Sequence, residues 1–342
     1  MYFPDYSYFK LAIQILTMKK HLARYLFVLL ALASCTKEVD FTGTQSDPLL
    51  VVNGLQQVGQ PARLRVEKSV FFLDDRPDCR VKDVHVDLYV NGAFKESLRV
   101  RDSLQIEYYT IWTEEGEFYK ERLRYAFNYC EGEYLLCEGD QLRFEVRSSE
   151  FETATAEVTM PEAPNVISFD TVRVEAENEY ETKVRFALKM DDPLGADYYN
   201  LYPQDGLAGF TTSDPVFTEF TSVEDIEDVF GENDYYGYGR YNLFTDKFFD
   251  GSEYTISLEI SVYYYNVNQS FYEPFTLEVT RVDDNLYRYL KSYEAYSNSD
   301  PGSLIGMFTE PVQVYSNVKK AIGVVGAQSR PVTLSIDLTE NQ

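Results

Sequence analysis

Val84-His85-Val86-Asp87-Leu88-Tyr89-Val90, then Asn91-Gly92, then Ala93-Phe94-Lys95-Glu96-Ser97-Leu98-Arg99-Val100, is the stretch that decides the fold. Val84, Val86, Leu88 and Val90 alternate with His85, Asp87 and Tyr89. That is the period of a strand whose successive side chains point to opposite faces. Asn-Gly tolerates positive φ at both central positions of a type I′ turn, so the two runs form a hairpin. Working outward, Leu49-Leu50-Val51-Val52-Asn53-Gly54-Leu55 is a short apolar strand broken by a second Asn-Gly. Ala62-Arg63-Leu64-Arg65-Val66-Glu67 alternates in the same way, as do residues 141 to 146 and 153 to 160, until Pro161 and Pro164 stop the pattern.

Short strands at such spacing predict an Ig-like antiparallel β-sandwich over residues 49–160, with a domain boundary at Pro161-Glu162-Ala163-Pro164. Strand patterns resume at 167–176, 183–190, 198–202, 255–265 and 275–281, so the fold class is mainly β, with a second antiparallel β domain over 165–342. Two short helices are expected in it. Ser222-Val223-Glu224-Asp225 carries a capping-box pattern that opens a helix near 222–230, closed by Gly231. A second begins at Asp283-Asp284 and runs to about 297, with Leu286, Tyr289, Leu290 and Tyr293 on one stripe.

The chain carries a formal charge of −25. Residues 1–34 hold four basic side chains against Asp5, a balance of +3, so the rest stands at −28. Such an acidic surface excludes nucleic acid as a partner, because phosphate binding requires clustered Lys and Arg. With 44 % hydrophobic and 15 % aromatic residues the chain is not disordered.

The N-terminus reads as an address. Lys19, Lys20 and Arg24 precede the apolar run Tyr25-Leu26-Phe27-Val28-Leu29-Leu30-Ala31-Leu32-Ala33, which ends at Ser34-Cys35. A basic region, a short apolar core and small residues make a secretory signal over 18–34, and the run falls short of the ~20 residues that cross a bilayer. Leu32-Ala33-Ser34-Cys35 is similar to a bacterial lipobox, whose cysteine is lipidated and becomes the mature N-terminus. Cys35 would then anchor a tether over 35–48 through several acyl chains. Residues 1–17 are an over-called extension on this view, with Met18 the initiator. Thr36-Lys37-Glu38-Val39-Asp40 resembles the signal that sends Bacteroidota lipoproteins to the cell surface.

Candidate sites are few. With Cys35 lipidated, Cys79, Cys130 and Cys137 remain, and Cys130 with Cys137 is the possible disulfide. No metal-ligating spacing occurs, and no cofactor is expected. Calcium is the alternative, from Asp74-Asp75, Asp78, Asp191-Asp192, Asp197 and Asp283-Asp284 in turns. His85 is the single histidine beyond the leader and sits on the face opposite Val84 and Val86, so a histidine-based nucleophile is not expected and the chain is not read as an enzyme. Aromatic clusters are the sequence's main binding signal. Tyr109 and Trp112 lie in a long insertion in the first domain. Tyr235, Tyr236, Tyr238, Arg240 and Tyr241 form a Tyr/Gly loop suited to ligand or partner contact.

Ordered segments carry a family resemblance: Asn53-Gly54, Met160-Pro161, Asp192-Pro193 before Tyr198-Tyr199, and Phe244-Thr245-Asp246 before Phe249-Asp250-Gly251. Leu286-Tyr287-Arg288-Tyr289-Leu290, then Glu310-Pro311-Val312, Ser316-Asn317-Val318 and Gly323-Val324-Val325-Gly326-Ala327, complete the series. From about residue 48 to 337 the chain resembles the Bacteroidota outer-membrane lipoproteins catalogued as domain of unknown function 4249. The resemblance implies an exported lipoprotein, often found beside TonB-dependent transporters, with no agreed enzymatic activity. The expected function is that of an outer-membrane, surface-facing binding or accessory module for a TonB-dependent transporter in nutrient uptake. The alternatives are a structural, adhesion or envelope-assembly lipoprotein without a small ligand and, third, a hydrolase.

Overall fold

A computed structural model describes residues 47–70, 78–113, 116–178, 181–203, 210–211, 214–216, 221–227, 238–263, 275–299 and 312–336. The first half holds β1 (Leu50–Gln57), β2 (Pro61–Lys68), β3 (His85–Val90), β4 (Ala93–Ser97), β5 (Arg99–Thr113), β6 (Gly116–Leu135), β7 (Gln141–Arg147) and β8 (Ala154–Thr159). The second half holds β9 (Asn165–Asn178), β10 (Glu181–Asp191), β11 (Tyr198–Pro203), β12 (Phe210–Thr211), β13 (Thr221–Glu227), β14 (Tyr238–Thr245), β15 (Glu253–Tyr263) and β16 (Phe275–Val282). Helix α1 (Asp284–Asn298), β17 (Val325–Gln328) and β18 (Val332–Ile336) close the chain.

Three sheets follow. A ten-stranded sheet runs β13-β14-β11-β16-β17-β1-β2-β6-β5, with β18 branching onto β16. Two four-stranded sheets run β4-β3-β7-β8 and β12-β15-β10-β9. The large sheet serves as one layer of two consecutive sandwiches. Leu50, Val52, Leu64 and Val66 from its β1–β2 part pack against Val86, Leu88, Phe144, Val146 and Val158 of the first small sheet. Tyr199, Leu201, Phe244, Leu277 and Val279 from its other part pack against Val184, Phe186, Leu188, Ile256 and Leu258 of the second. The alternation seen in the sequence is the alternation of burial: β7 reads exposed or half-buried at Gln141, Arg143, Glu145 and Arg147 and buried at Leu142, Phe144 and Val146.

The opening hairpin forms as expected. Asn91 and Gly92 both take positive φ (52° and 81°) between β3 and β4. The second Asn-Gly does not turn the chain. β1 runs straight through Asn53-Gly54, because Arg63 of β2 passes so close that a Cβ on residue 54 would stand 2.6 Å from its carbonyl oxygen.

The prolines at 161 and 164 lie between β8 and β9 as the sequence suggests, yet one sheet runs across both halves. β17 pairs in parallel with β1, Gly54 opposite Val325 and Gln57 opposite Gln328, and Val325 and Ala327 enter the first core. Residues Asp47–Gln342 pack as one compact unit.

Three local expectations are corrected. The capping-box stretch is strand rather than helix as far as 227: Thr221–Glu227 is β13, paired with β14 from Thr221–Leu243 to Glu227–Tyr238 around a bulge. The capping box satisfies two orphan amides, whereas pairing with a neighbouring strand satisfies the whole segment, so tertiary context outweighs the cap. Residues 228–230 lie outside the described residues. The Tyr/Gly loop is likewise strand from Tyr238 onward, for the same reason.

Cys130 and Cys137 do not pair. Cys130 is wholly buried on β6 while Cys137 is exposed beyond that strand's end, and both are free thiols. Five residues of extended chain separate Cys130 from Leu135, roughly 17 Å, whereas a disulfide needs its Cα atoms within about 7 Å. Burial raises the Cys130 thiol to about 12 and the Cys79 thiol to about 11.

The aromatic insertion is a long hairpin. Its outer part pairs eight residues of β5 with β6, from Ile106–Leu123 to Thr113–Gly116. At its base Arg65, 1 % exposed, pairs with Glu67 at 2.6 Å and lies over the Phe127 ring, 3.9 Å from its centroid.

Candidate functional site

Two loops that link the large sheet to the second small sheet bring together residues far apart in sequence. One joins β10 to β11 through Asp192-Pro193-Leu194-Gly195-Ala196-Asp197. The other joins β14 to β15 through Asp246-Lys247-Phe248-Phe249-Asp250-Gly251-Ser252. Gly195 (φ 138°) and Gly251 (φ 70°) take backbone angles that side chains disfavour, and Phe249 is buried, stacked on Tyr199 and Tyr254.

The loops hold each other through carboxylates. The Gly195 amide donates to Asp250 Oδ1 (2.9 Å), the Asp197 amide to Asp246 Oδ2 (2.9 Å), and the Gly251 amide to Asp192 Oδ2 (3.1 Å). The Tyr199 hydroxyl donates to Asp192, and Arg281 Nη2 donates to that hydroxyl at 3.3 Å. Arg281 Nε lies 3.4 Å from Asp197 Oδ1.

Ligand atoms of Asp192, Asp197 and Asp246 all lie within 4.8 Å of one another. Burial, reinforced by Asp192, Asp197 and Asp250, pushes Asp246 up to about 6 against the lowering effect of the Asp197 amide. Burial also raises Asp197, with Arg281 pulling the other way.

Three carboxylates so close are the kind of oxygen donors a hard divalent cation takes. Here each already has a protein donor and Arg281 supplies a positive charge. The chemistry this geometry shows directly is a loop-to-loop clasp. Of the acidic residues singled out by sequence, Asp192 and Asp197 meet here. Asp246 was missed as a partner, although its Phe-Thr-Asp segment stood out. Elsewhere, Asp78 pairs with Arg80 at 2.8 Å, Asp283 caps α1, and Asp284 holds Arg288 at 2.9 Å. Asp74 and Asp75 lie outside the described residues.

The remaining sequence candidates scatter. Tyr109 falls opposite Lys120 and Trp112 opposite Glu117 in the β5–β6 hairpin. Tyr238, Arg240 and Tyr241 belong to β14, while Tyr235, Tyr236 and Cys35 lie outside the described residues. His85 is exposed, with Nε2 3.0 Å from Asp87 Oδ1, and Ser97 Oγ donates to the same Asp87 oxygen at 2.7 Å. The carboxylate therefore sits between serine and imidazole. Nucleophile activation needs the imidazole in the middle.

A family profile described as "Domain of unknown function (DUF4249)" matches residues 36–331. The chain belongs to the DUF4249 family. No curated protein matches its sequence. Several of the segments that carry the resemblance lie along one seam: the clasp, the start of α1, and β17. Asn53 Oδ1 accepts from the Val324 amide (3.0 Å), and the Asn317 amide group exchanges two bonds with Val325 (2.8 and 2.9 Å). Asp283 Oδ1 accepts from the Ala327 amide at 2.7 Å. In this DUF4249 chain those residues join the two sandwiches.

Proposed function

We propose that this DUF4249 protein is an outer-membrane lipoprotein, anchored through Cys35 and facing the cell surface, that serves a TonB-dependent transporter as a binding or accessory module. The observation that carries it is the lipobox Leu32-Ala33-Ser34-Cys35 at the end of a short apolar run. Among the described residues no helix is long and apolar enough to cross a membrane, so the lipid is the anchor this proposal relies on. Eleven residues, hence twelve Cα-to-Cα steps, separate Cys35 from Asp47, where the compact unit begins. Fully extended, they reach at most about 43 Å, so a lipidated protein keeps its body beside the bilayer, within reach of membrane-embedded partners.

Cys35→Ala is expected to move the protein from the membrane fraction to the soluble one, read by fractionation and immunoblot. Full retention would overturn the anchor. Mild-detergent pull-down of the tagged native protein, with mass spectrometry, is expected to bring down a stoichiometric TonB-dependent barrel, and protease shaving of intact cells to remove the lipoprotein. A lone, protease-protected protein would favour the structural alternative.

A further inference from the structure

A cleft of about 500 Å³ lies where the first small sheet meets the start of α1. One wall is the end of that sheet, with Arg143 on β7 and Glu157 on β8; the other is Asp283-Asp284-Asn285. Arg143 and Glu157 are direct cross-strand partners, so they share a face and stand side by side. Arg143 is already oriented: its guanidinium pairs with Glu145 and lies 3.8 Å over the Tyr89 ring.

The opposite wall is fixed too. Asp284 Oδ1 accepts from the Tyr198 hydroxyl (3.0 Å) and Arg288 Nε (2.9 Å). Asn285 Nδ2 donates to Asp283 Oδ2 (2.8 Å), and its Oδ1 accepts from the Tyr315 hydroxyl (2.9 Å). The cleft is thus a preformed concavity between two structural units, the usual place and size for a small ligand. Its charge is divided: the Arg143 guanidinium stands among the carboxylates of Glu157, Asp283 and Asp284, of which Asp283 caps α1 and Asp284 already holds Arg288. An anion alone would meet three carboxylates, and an apolar ligand would desolvate the exposed Glu157 carboxylate without pairing it.

We propose that this cleft binds a short zwitterionic peptide, its ammonium held by Glu157 and Asp284 and its carboxylate by Arg143. This deepens the accessory role proposed above, and rests on it only for the biological source of the peptide. Leu142 and Val158 turn their side chains into the first core, so the peptide's own side chains meet no apolar pocket and its charged termini alone fix its position.

The test is isothermal titration of the purified full-length lipoprotein in detergent with trialanine, and with N-acetyl-trialanine, which lacks the ammonium. Saturable binding of trialanine is expected, weakened about tenfold or more by N-acetylation or by Glu157→Gln, the size of one lost charge-assisted contact. Arg143→Met should weaken it similarly. Glu157 is exposed, so its variant keeps the test valid even if losing the Arg143–Tyr89 stack unfolds the other. No saturable heat up to millimolar trialanine, or equal binding of the acetylated peptide, or no effect of Glu157→Gln, would overturn the site. A silent titration beside a successful barrel pull-down removes the cleft and leaves the accessory role; peptide binding without a barrel does the reverse.

Discussion

Asp246 shows how much a single side chain depends on partners the sequence does not reveal. Its oxygens face Asp192 and Asp197, and its carboxyl is held near 6 by burial and by those neighbours. An ordinary aspartate releases its proton near 3.8. Between those values the folded state keeps a proton that the unfolded chain has lost. The protonated carboxyl therefore favours the fold at low pH, and that contribution is lost as pH rises through about 6. Asp246→Asn keeps an oxygen for the Asp197 amide and removes the repulsion. It should raise the melting temperature at pH 7.5 by about 2–4 °C and flatten its fall between about pH 4 and 7.5. Calorimetry across that range checks it. A lower melting temperature for the variant at pH 7.5 would mean that the third carboxylate is attractive there, as it would be around a bound cation. The same scale explains what was legible. Asn91-Gly92 and Asn53-Gly54 are identical dipeptides; the first turns and the second lies mid-strand, because only the second has Arg63 pressed against it. Local chemistry permits a turn, and the neighbouring strand decides whether one forms.

At the level of elements, the sequence signals that survive are those backed by burial. The stripe Leu286, Tyr289, Leu290 predicts α1, and those residues are buried with Leu243, Val282 and Val324. The Ser222 capping box gave way to β13, whose pairing with β14 satisfies the backbone of the whole segment. For α1 the cap is more than local. Asp283 accepts from the Leu286 amide (3.1 Å) and the Asn285 amide (3.2 Å), and reaches across to the Ala327 amide of β17 (2.7 Å). A lost helix cap costs about 1 kcal/mol, and a buried amide left without a partner about 1–3 kcal/mol more. Asp283→Ala should therefore cost about 2–4 kcal/mol in urea denaturation. Asp283→Asn, which keeps one acceptor oxygen, should recover a large part of it. Equal losses in both variants would show that charge, rather than hydrogen bonding, is what the cap supplies.

For the whole molecule, the proline boundary at 161–164 is where sequence reading reaches its limit. Period-two patterning identifies strands but not the partner a strand chooses from 270 residues away, and β17 chooses β1. That choice makes a fragment experiment decisive. Residues 49–160 contain every strand of the first sandwich except β17. Without it, the Val52 and Gly54 amides lose the Ile322 and Val324 carbonyls, and the Leu50 carbonyl loses the Ile322 amide, each at 2.9 Å. The core also loses Val318, Val325 and Ala327. Unpaired buried backbone groups cost about 1–3 kcal/mol each, and domains hold only about 5–15 kcal/mol in reserve. The bare edge of β1 would in addition invite pairing with other chains. Expressed alone, residues 49–160 should show no cooperative thermal transition by circular dichroism and should aggregate on concentration, while residues 47–342 melt as one unit. A soluble fragment with a sharp transition would instead show that the first sandwich closes without β17, and that the parallel pair is a seam added onto an already stable domain.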